Sequence, residues 1–407
     1  MKYVNSLKYM NSFEPSESLS DISQSRAAHL CELLGRVNIN TKSIFLPSGT
    51  AGYMASVMLE SVIKSEGYRV GRITSEFGFD CRRMVYIDGA PASIEEFNRA
   101  VAELKAKATS VPDEKFSLEE AAFALSLLLC RMRDCRYIIL QGMSTDCCDL
   151  ASLCAPYDIV IVPEIKEEND KALSVVCKAI SHGARAIVSA NQKIPVYNRL
   201  ASIAKTGINL TAKTSFEDKH ISSLRHDFSY GNREGYCVKS PSIIGRECAM
   251  LVIDAAQAIR RDGVKVQWSN IEAGLARATN MGAFDTYSVS PLVLFDGASD
   301  ADGIAAIKIT ADAVFGGGSL DNISLCIPIS AVGLISQFDR VDKLIIVGDV
   351  RYDDVSWISA ESLICCKDLK NAAKAIQTNI KEGTSTLCLG SVGFAIELKE
   401  ALVSLAF

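Results

Sequence analysis

A turn of small residues offers the first place for chemistry in this sequence: SGTAG, at positions 48–52, lies between an apolar strand and an amphipathic helix. Glycines in such a turn let backbone N–H groups converge on an anion at a helix N-terminus. A working phosphate loop also has a lysine for the outer phosphates and a hydroxyl that ligates magnesium. Here Tyr53 stands in the lysine position and Ala55 in the hydroxyl position, with Met54 between them. The pattern leaves two interpretations, a plain strand-to-helix turn and a phosphate site without its charges.

Metal-ligating and thiol groups show no spacing typical of a metal centre. The 14 cysteines are scattered, and several, such as Cys130, Cys326 and Cys388, lie inside apolar patterns. That usage is typical of reduced, buried thiols. The adjacent pairs Cys147-Cys148 and Cys365-Cys366 lack the two-residue spacing of a zinc knuckle. We predict no metal site from these residues.

The elements that must position the turn alternate between strand and helix. Helical patterns open with capping boxes at Ser93 to Glu96 and at Ser117 to Glu120. Apolar strands separated by helices predict an α/β fold with a mostly parallel sheet covered on both faces. The predicted strands are Ser43–Leu46, Tyr68–Thr74, Tyr137–Gln141, Asp158–Val162 and Ala184–Ala190.

The second half of the chain changes character twice. Residues 207–245 are polar and predict hairpins or loops, and a glycine-containing break at 280–290 follows two helices. The alternation then restarts, so we predict a boundary near Ala283–Ser288 and two domains, 1–284 and 285–407. The elements predicted after the break are Leu292–Phe295, Ala301–Val314, Ile323–Ile327, Lys343–Val347, Leu369–Lys381, Thr386–Leu389 and Val392–Ala401.

Composition limits the classes of partner. The 407 residues carry a formal net charge of -5, and no block of like charge stands out. A nucleic-acid or anionic-membrane partner therefore has no electrostatic support. The N-terminal residues lack the apolar core of a signal peptide, and the longest apolar stretches are too short to span a bilayer. We predict a cytoplasmic protein with neither nucleic-acid nor membrane partners.

A series of segments in fixed order carries a family resemblance. The turn SGTAGYMAS is followed by RRMVYIDGAPAS, RYIILQGMSTDCCDLAS, KAISHGARAIVSANQ, LVLFDGASDADGIAAI and TSTLCLGSVGFAIELKEAL. Together they resemble folylpolyglutamate synthases, members of the Mur ligase superfamily, over nearly the whole chain. The resemblance implies a phosphate-loop NTPase-like N-terminal domain and a smaller Rossmann-like C-terminal domain, with the active site in the cleft between them.

The resemblance also implies a reaction and its cofactors. Family members join an amino acid, glutamate in the case of folates, to a carboxylate through an acyl phosphate made from ATP with magnesium. The family loop Gly-Thr-Asn-Gly-Lys-Gly-Ser/Thr corresponds here to Gly49, Thr50, Ala51, Gly52, Tyr53, Met54 and Ala55. ATP and Mg are therefore implied by resemblance only, because the lysine and the hydroxyl are replaced.

The metal positions of the family are altered as well. Gln141 stands where the family has a metal-binding glutamate, and Asp149 matches a family aspartate. The family's metal-binding histidine is missing, and Glu168 or Asp170 are poor substitutes for it. Lys178 corresponds to the carbamylated lysine of the family if one residue is deleted, and a solvated helix lysine is the alternative.

The predicted inter-domain cleft keeps its glycines and one aspartate. The family's Pro-Gly-Arg corresponds to Met281, Gly282 and Ala283, so its arginine is lost. The family's Asp-Gly-Ala-His-Asn-Pro corresponds to Asp296, Gly297, Ala298, Ser299, Asp300 and Ala301. The scaffold positions persist, while the charged groups that hold ATP and magnesium are replaced at several places.

Three interpretations stay open from the sequence. The first is a pseudoenzyme of this family with impaired ATP and Mg binding, which binds a small molecule in the old cleft or a partner. The second is an active ATP-dependent amide ligase with a rearranged site built on Asp149, Lys178 and Asp296. The third is a pure interaction subunit, for example of an intact ligase paralogue, in which Tyr53, Met54 and Met143 fill the former phosphate space.

Overall fold

A computed structural model describes most of the chain. It covers residues 3–13, 24–35, 41–75, 81–111, 115–142, 150–166, 171–204, 207–211, 216–279, 282–350, 358 and 362–405. The residues group into two compact units, Met1–Phe216 with Glu247–Arg277, and Glu217–Arg246 with Ala278–Phe407. The second unit thus includes residues that precede the predicted boundary, and the domain limits 1–284 and 285–407 stay a prediction.

The first unit is organised around an eight-stranded sheet. Its strands are β1 (Lys42–Leu46), β2 (Val70–Thr74), β3 (Val85–Ile87), β4 (Ala90–Pro91), β5 (Tyr137–Gln141), β6 (Ile159–Val162), β7 (Arg185–Ser189) and β8 (Ile208–Thr211). Their order is β4-β3-β2-β5-β1-β6-β7-β8. The strands from β2 to β8 along this order pair in parallel, and only the short β3 and β4 pair antiparallel. The predicted mostly parallel sheet is confirmed.

Helices connect and cover these strands. They are α1 (Tyr3–Met10), α2 (Gln24–Leu34), α3 (Thr50–Ser65), α4 (Ile94–Ala108), α5 (Leu118–Met132), α6 (Lys171–Ser181), α7 (Ile194–Ile203), α8 (Ile243–Arg261) and α9 (Trp268–Arg277). Short 3-10 helices span Cys81–Met84 and Leu150–Cys154. Both predicted capping boxes form, with the Ser93 and Ser117 hydroxyls accepting from the N–H groups of Glu96 and Glu120. These caps start α4 and α5 because they satisfy N–H groups that have no partner inside the helix.

The second unit contains two sheets. A three-stranded sheet has the order β11-β10-β9, and a six-stranded sheet has the order β12-β13-β17-β14-β15-β16. The strands are β9 (Phe216–Ser222), β10 (Arg225–Tyr230), β11 (Arg233–Val238), β12 (Asp285–Val289), β13 (Leu292–Phe295), β14 (Ser324–Pro328), β15 (Lys343–Val347), β16 (Ser362–Cys366) and β17 (Thr386–Cys388). Its helices are α10 (Ala301–Phe315), α11 (Leu369–Glu382) and α12 (Val392–Ser404), and a 3-10 helix spans Ile329–Gln337. The hairpins predicted within 207–245 are present as β9 to β11.

Two strands of the second unit were not predicted. β12 lies in the segment predicted as a break, and it pairs antiparallel with β13. Its five residues are all partly or fully solvent-accessible, so they lack the apolar run that marks a buried strand. β16 pairs with β15 at the end of the sheet and has only one buried residue, Cys366. Both strands depend on pairing with a more apolar neighbouring strand. The hydrophobic pattern within one segment does not show such pairing.

Burial follows the predicted use of the cysteines. Cys130, Cys326 and Cys388 are at most 1% exposed. Cys326 and Cys388 lie opposite each other on β14 and β17, and burial together with their contact raises the pKa of Cys388 well above its ordinary value. They behave as small apolar side chains in the core. Within the described ranges, no helix has both the length and the apolar character to cross a membrane.

Candidate functional site

The segment of the predicted phosphate loop is largely helical. β1 ends at Leu46 and α3 begins at Thr50, so only residues 47–49 connect them. Gly49 is the residue before the helix, with φ +97°, a left-handed conformation that glycine adopts without a steric penalty. The Tyr53 N–H donates to the Gly49 carbonyl at 2.9 Å, closing the first helical turn. Residues 50–55 therefore form the first turns of α3 and not an open turn.

Gly52 packs against the short connection instead of facing a ligand. A Cβ atom at this position would lie 2.0 Å from the Pro47 carbonyl oxygen. Real Cβ atoms do not approach a backbone oxygen this closely, so a glycine is required for packing. The sequence pattern predicts Gly52 as a residue that lets the backbone approach phosphate. In the structure Gly52 instead lets α3 approach the carbonyl of Pro47.

Tyr53 fills the lysine position with a buried aromatic ring. It is 1% exposed, and the Arg72 guanidinium lies 4.9 Å from its ring centroid and 4.2 Å from that of Tyr86. Arg72 Nε donates to Glu60 at 2.7 Å, and Glu60 also accepts from the Gly89 N–H at 2.6 Å. The lysine position thus faces a cation that the protein already holds inside its core.

Neighbouring groups stabilise the protonated, charged form of Arg72. Burial lowers its pKa, but Glu60 and the two tyrosines raise it by more, so the pKa is higher than usual. Both side chains of the ion pair are only 3% exposed. Removal of one partner from such a buried pair strongly destabilises the folded protein, because the remaining charge is desolvated and uncompensated.

The two positions after Tyr53 also belong to the core. Met54 and Ala55 are both 0% exposed. The position where a magnesium-ligating hydroxyl is expected therefore holds a buried methyl group. Neither side chain offers an oxygen, the ligand that magnesium prefers.

Gln141 ends β5 at the predicted metal position and is fully buried. Its Oε1 accepts from the Thr74 hydroxyl at 2.5 Å, and its Nε2 donates to the Pro47 carbonyl at 3.3 Å. The carbonyl can only accept, so the amide nitrogen must face it. Both ends of the side chain are occupied by protein groups, and the position carries no charge.

Cys248 is a contact of the turn that the sequence did not indicate. It lies on α8, is 1% exposed, and its Sγ donates to the Ala51 carbonyl at 3.2 Å. Burial raises its pKa, so it stays a neutral thiol. A hydrogen bond between residues 197 positions apart leaves no local pattern in the sequence from which it could be predicted.

The candidate catalytic residue Lys178 lies apart from the turn. It is an exposed residue, the eighth of the 11 in α6. Because α6 connects the parallel strands β6 and β7, it runs antiparallel to them, and its later residues approach their amino ends. The turn after β1 lies at the carboxyl ends. Asp149, Glu168, Asp170, Met143 and the Cys147-Cys148 pair lie outside the described residues.

The predicted cleft residues of the second unit come together around one carboxylate. Asp296 is 5% exposed, and its two oxygens accept from the N–H groups of Phe284 and Ala298, each at 2.7 Å. Burial raises the pKa of Asp296 to about 7, against the lowering effect of these two bonds. The Gly297 N–H donates to the Gly282 carbonyl at 2.7 Å. Asp296 therefore fixes a backbone junction.

Ser299 and the next residue start α10. Ser299 is exposed, and Asp300 caps the helix by accepting from the Gly303 N–H at 2.7 Å. Among the described residues, no group of three or more His, Cys, Asp or Glu side chains is arranged to hold a metal ion. The turn after β1 is thus held by backbone contacts and neutral side chains, with the compensated ion pair of Arg72 and Glu60 beside it.

Solved structures of known proteins share this architecture. A Thermotoga maritima folylpolyglutamate synthase superposes with a TM-score of 0.77 at 16% identity, over 99% of this chain and 97% of that one. An apo form of the Lactobacillus casei enzyme gives 0.76 at 18% identity, over 99% and 100%. The Mycobacterium tuberculosis enzyme complexed with ADP gives 0.75 at 15%, over 98% and 99%. The chain has the fold of folylpolyglutamate synthases.

The folylpolyglutamate synthase fold confirms the fold class, with a parallel-rich N-terminal sheet and a second sheet domain in the Mur ligase architecture. The resemblance derived from the sequence is confirmed at this level. No protein-family model matches the chain, and no curated protein sequence matches it either. At identities of 15 to 18% the likeness establishes the fold, and the chemistry must be argued from this chain's own residues.

Proposed function

We propose that this chain is a non-catalytic protein of the folylpolyglutamate synthase fold, a pseudoenzyme that does not hold Mg-ATP and serves as a ligand-binding or partner subunit. The observation that supports this most directly is the start of α3 at Thr50, which leaves only residues 47–49 as a connection. Structures with this fold have been solved with ADP and with AMPPCP and folate. The residues of this chain do not fit such a nucleotide.

Electrostatics supports the same conclusion. Phosphoryl transfer depends almost entirely on positioning and on positive charge near the phosphates. The side chains that donate to the carbonyls of Pro47 and Ala51 are the amide of Gln141 and the thiol of Cys248, both neutral. The guanidinium of Arg72 is already compensated by Glu60. Without the lysine, the hydroxyl and the acidic metal ligand, the charge of the outer phosphates has no counterpart in this turn.

Binding of Mg-ATP to the full chain, measured by titration calorimetry, tests the proposal. We expect no heat at nucleotide concentrations up to the millimolar range, while a folylpolyglutamate synthase with an intact loop binds in the same buffer. Micromolar binding of Mg-ATP would overturn the proposal. ATP-dependent incorporation of labelled glutamate into a folate would instead establish the alternative, an active amide ligase.

The partner role is tested separately. If the same genome encodes an intact folylpolyglutamate synthase, that paralogue is the partner we propose. It is co-expressed with this chain, and the mixture is analysed by size-exclusion chromatography with light scattering. We expect a joint peak with the mass of a complex. If both proteins elute as before mixing, the paralogue is not the partner, and the ligand-binding role remains as the proposed function.

A further inference from the structure

The solvent side of α11 carries three lysines in one row. Lys370, Lys374 and Lys381 are all exposed, and we call these three residues the lysine stripe. At about 100° per helical residue, their side chains leave the helix axis within about 40° of one another. Because the lysines are separated by other residues along the chain, the sequence shows no block of like charge, and only the helix brings them onto one side.

The opposite side of α11 holds the helix on the six-stranded sheet. Ala372, Ala373 and Ile376 are fully buried, and they belong to one core cluster with Ile345 of β15 and Cys366 of β16. The lysine stripe therefore points away from the sheet. Because the apolar side of α11 is used in the core, the helix does not present it to a lipid surface.

The charge of the lysine stripe is not neutralised by the part of the chain that the structure describes. None of its three ammonium groups has an ion pair or a hydrogen bond there. Glu382, the last residue of α11, pairs instead with Lys343 of β15. Asp368 caps the helix, and its Oδ1 and Oδ2 accept from the backbone N–H and the Nδ2 of Asn371 at 2.8 and 3.2 Å. Both acidic residues at the ends of α11 are thus engaged with other groups.

Other lysines of the second unit are paired with carboxylates. Lys219 lies 2.7 Å from Glu217, and Lys399 lies 2.6 Å from Asp285. The whole chain also carries a formal net charge of -5. The unpaired positive charge of the lysine stripe is therefore a local feature of α11 and not the result of a general excess of lysine.

Two of the three positions are unfavourable for the helix itself. Lys370 is the second residue of α11, and the helix dipole disfavours a cation in the first turn. Lys374 follows four residues later, and like charges at this spacing repel each other. Lys381 lies in the last turn, where a cation is favourable. The stability of α11 consequently does not account for the charges of Lys370 and Lys374, and positions that violate a local rule are typical of functional sites.

The spacing of the lysine stripe matches an extended peptide. A helix rises about 1.5 Å per residue, so Lys370 and Lys374 are about 6 Å apart along the axis, and Lys374 and Lys381 about 10 Å. In an extended chain, alternate side chains point to the same side and lie about 6.6 Å apart. Acidic side chains at alternate positions can therefore face the stripe. A nucleic acid would find no aromatic ring or guanidinium in the stripe on which its bases could stack.

We propose that the lysine stripe binds an extended acidic peptide of about six residues, a segment of a partner protein, whose carboxylates face Lys370, Lys374 and Lys381. The proposal does not depend on whether the chain binds ATP. The stripe belongs to a helix of the second unit, whereas the turn after β1 belongs to the first unit.

Fluorescence anisotropy with the full chain tests the class of ligand. Hexaglutamate, hexaserine and a thymidylate hexamer each carry the same uncharged dye. At about 20 mM salt we expect hexaglutamate to bind at least tenfold more tightly than hexaserine. Its affinity should fall about tenfold at about 200 mM salt, because salt screens exposed charges. Absence of hexaglutamate binding would overturn the proposal, and equal or tighter binding of the thymidylate hexamer would assign the stripe to nucleic acid instead.

Variants locate the binding. Lys370→Gln combined with Lys374→Gln and Lys381→Gln removes the charge of the stripe and should weaken hexaglutamate binding at least tenfold. Arginine at the same three positions keeps the charge and should keep the binding. Lys239→Gln removes an exposed lysine that follows β11 and should leave the affinity unchanged. Undiminished binding by the triple glutamine variant would place the site elsewhere and contradict the proposal.

Stability separates a binding role from a structural one. The triple glutamine variant should unfold at the same urea concentration as the unmodified protein or at a higher one, because the repulsion between Lys370 and Lys374 is removed. A lower urea midpoint would show that the lysines stabilise the fold, which contradicts the proposal.

Discussion

The side-chain amide of Gln141 donates to the carbonyl oxygen of Pro47 at 3.3 Å, and this contact ties the last residue of β5 to the first residue after β1. The same carbonyl oxygen lies against the Cα of Gly52. A carbonyl directed at these groups presents partial negative charge within the turn. The connection is thus closed by neutral contacts, where a phosphate loop presents N–H groups to an anion.

The first prediction concerns this contact. Gln141→Glu keeps the size of the side chain but removes the amide hydrogen, so two acceptors face each other at Pro47. The carboxylate would also be buried where the glutamine is 0% exposed. We expect the free energy of unfolding to fall by about 1–3 kcal/mol, the usual cost of an unsatisfied buried polar group. Urea denaturation followed by circular dichroism measures it.

Gln192 provides a matched control. Its Nε2 also donates to a proline carbonyl, that of Pro163 at 2.6 Å, but the residue is partly exposed. Water can solvate the new carboxylate of Gln192→Glu, so this variant should lose less stability. If Gln141→Glu were as stable as the unmodified protein, the contact with Pro47 would not hold the turn closed.

The glycines of the turn illustrate how far the sequence predicts the site. The pattern correctly located a strand, a glycine-containing turn and a helix, because apolar periodicity and small residues are local signals. It did not separate the roles of the glycines. Gly49 adopts a left-handed conformation before α3, whereas Gly52 is a packing residue inside the helix. That difference arises from Pro47 and Gln141, which come from other elements.

In the second unit, the sequence likewise predicts the position of Asp296 but not its contacts. The sequence correctly picked it out beside Gly297, and the structure brings both to one junction with Gly282. The pattern could not show that both oxygens of Asp296 accept from backbone N–H groups. Long-range contacts of this kind decide the protonation of a carboxylate, and a linear motif does not contain them.

The second prediction is that restoring the family residues in the loop does not restore nucleotide binding. Tyr53→Lys combined with Ala55→Ser places an ammonium group beside Arg72, whose guanidinium now lies 4.9 Å from the Tyr53 ring. Glu60 compensates only one of the two cations. We expect a loss of about 3–5 kcal/mol in unfolding free energy, as for an uncompensated buried charge, and no heat with Mg-ATP.

Tyr53→Phe is the control for this experiment, because it keeps the aromatic ring over Arg72 and adds no charge. It should unfold at nearly the same urea concentration as the unmodified protein. A stable Tyr53→Lys, Ala55→Ser double variant that binds Mg-ATP with micromolar affinity would show that only the loop residues prevent binding. The contacts of Gln141 and Cys248 with the turn would then have no effect on Mg-ATP binding.

The third prediction is a pH dependence set by Asp296. Its pKa is raised by burial to about 7 in the folded protein, above the value of about 3.9 expected when unfolded. Between these values the folded state binds more protons, so stability falls as pH rises. The contribution of Asp296 is fully present below pH 4 and is lost by about pH 7. Each pKa unit corresponds to about 1.4 kcal/mol, so the change is at most about 4 kcal/mol.

Comparison with Asp296→Asn isolates this contribution, because the asparagine does not titrate. The amide also turns an NH2 group toward a backbone N–H, so the variant should be less stable throughout. We expect the deficit to be largest near pH 4 and smallest at pH 7 and above, in urea titrations at each pH. A deficit that grows with pH would mean that Asp296 is ionised in the fold and that its two N–H contacts outweigh burial.

The fourth prediction concerns the junction itself. A Cβ atom on Gly297 would lie 2.4 Å from Val392 Cγ2 and 2.8 Å from the Val392 backbone nitrogen. Val392 is the first residue of α12, so the helix would have to move to admit a methyl group. Gly297→Ala should therefore cost about 1–3 kcal/mol, the usual range for overpacking.

The control and a partial rescue follow from the same geometry. Gly317→Ala meets no atom within 4 Å, so it should be neutral or slightly stabilising. Val392→Ala in the Gly297→Ala background removes the Cγ2 clash but leaves the backbone contact. It should therefore recover only part of the loss in the urea midpoint. Full recovery would show that the side chain alone sets the distance between this turn and α12. No recovery would show that the backbone of α12 does, and that the glycine is required by the close approach of the two main chains.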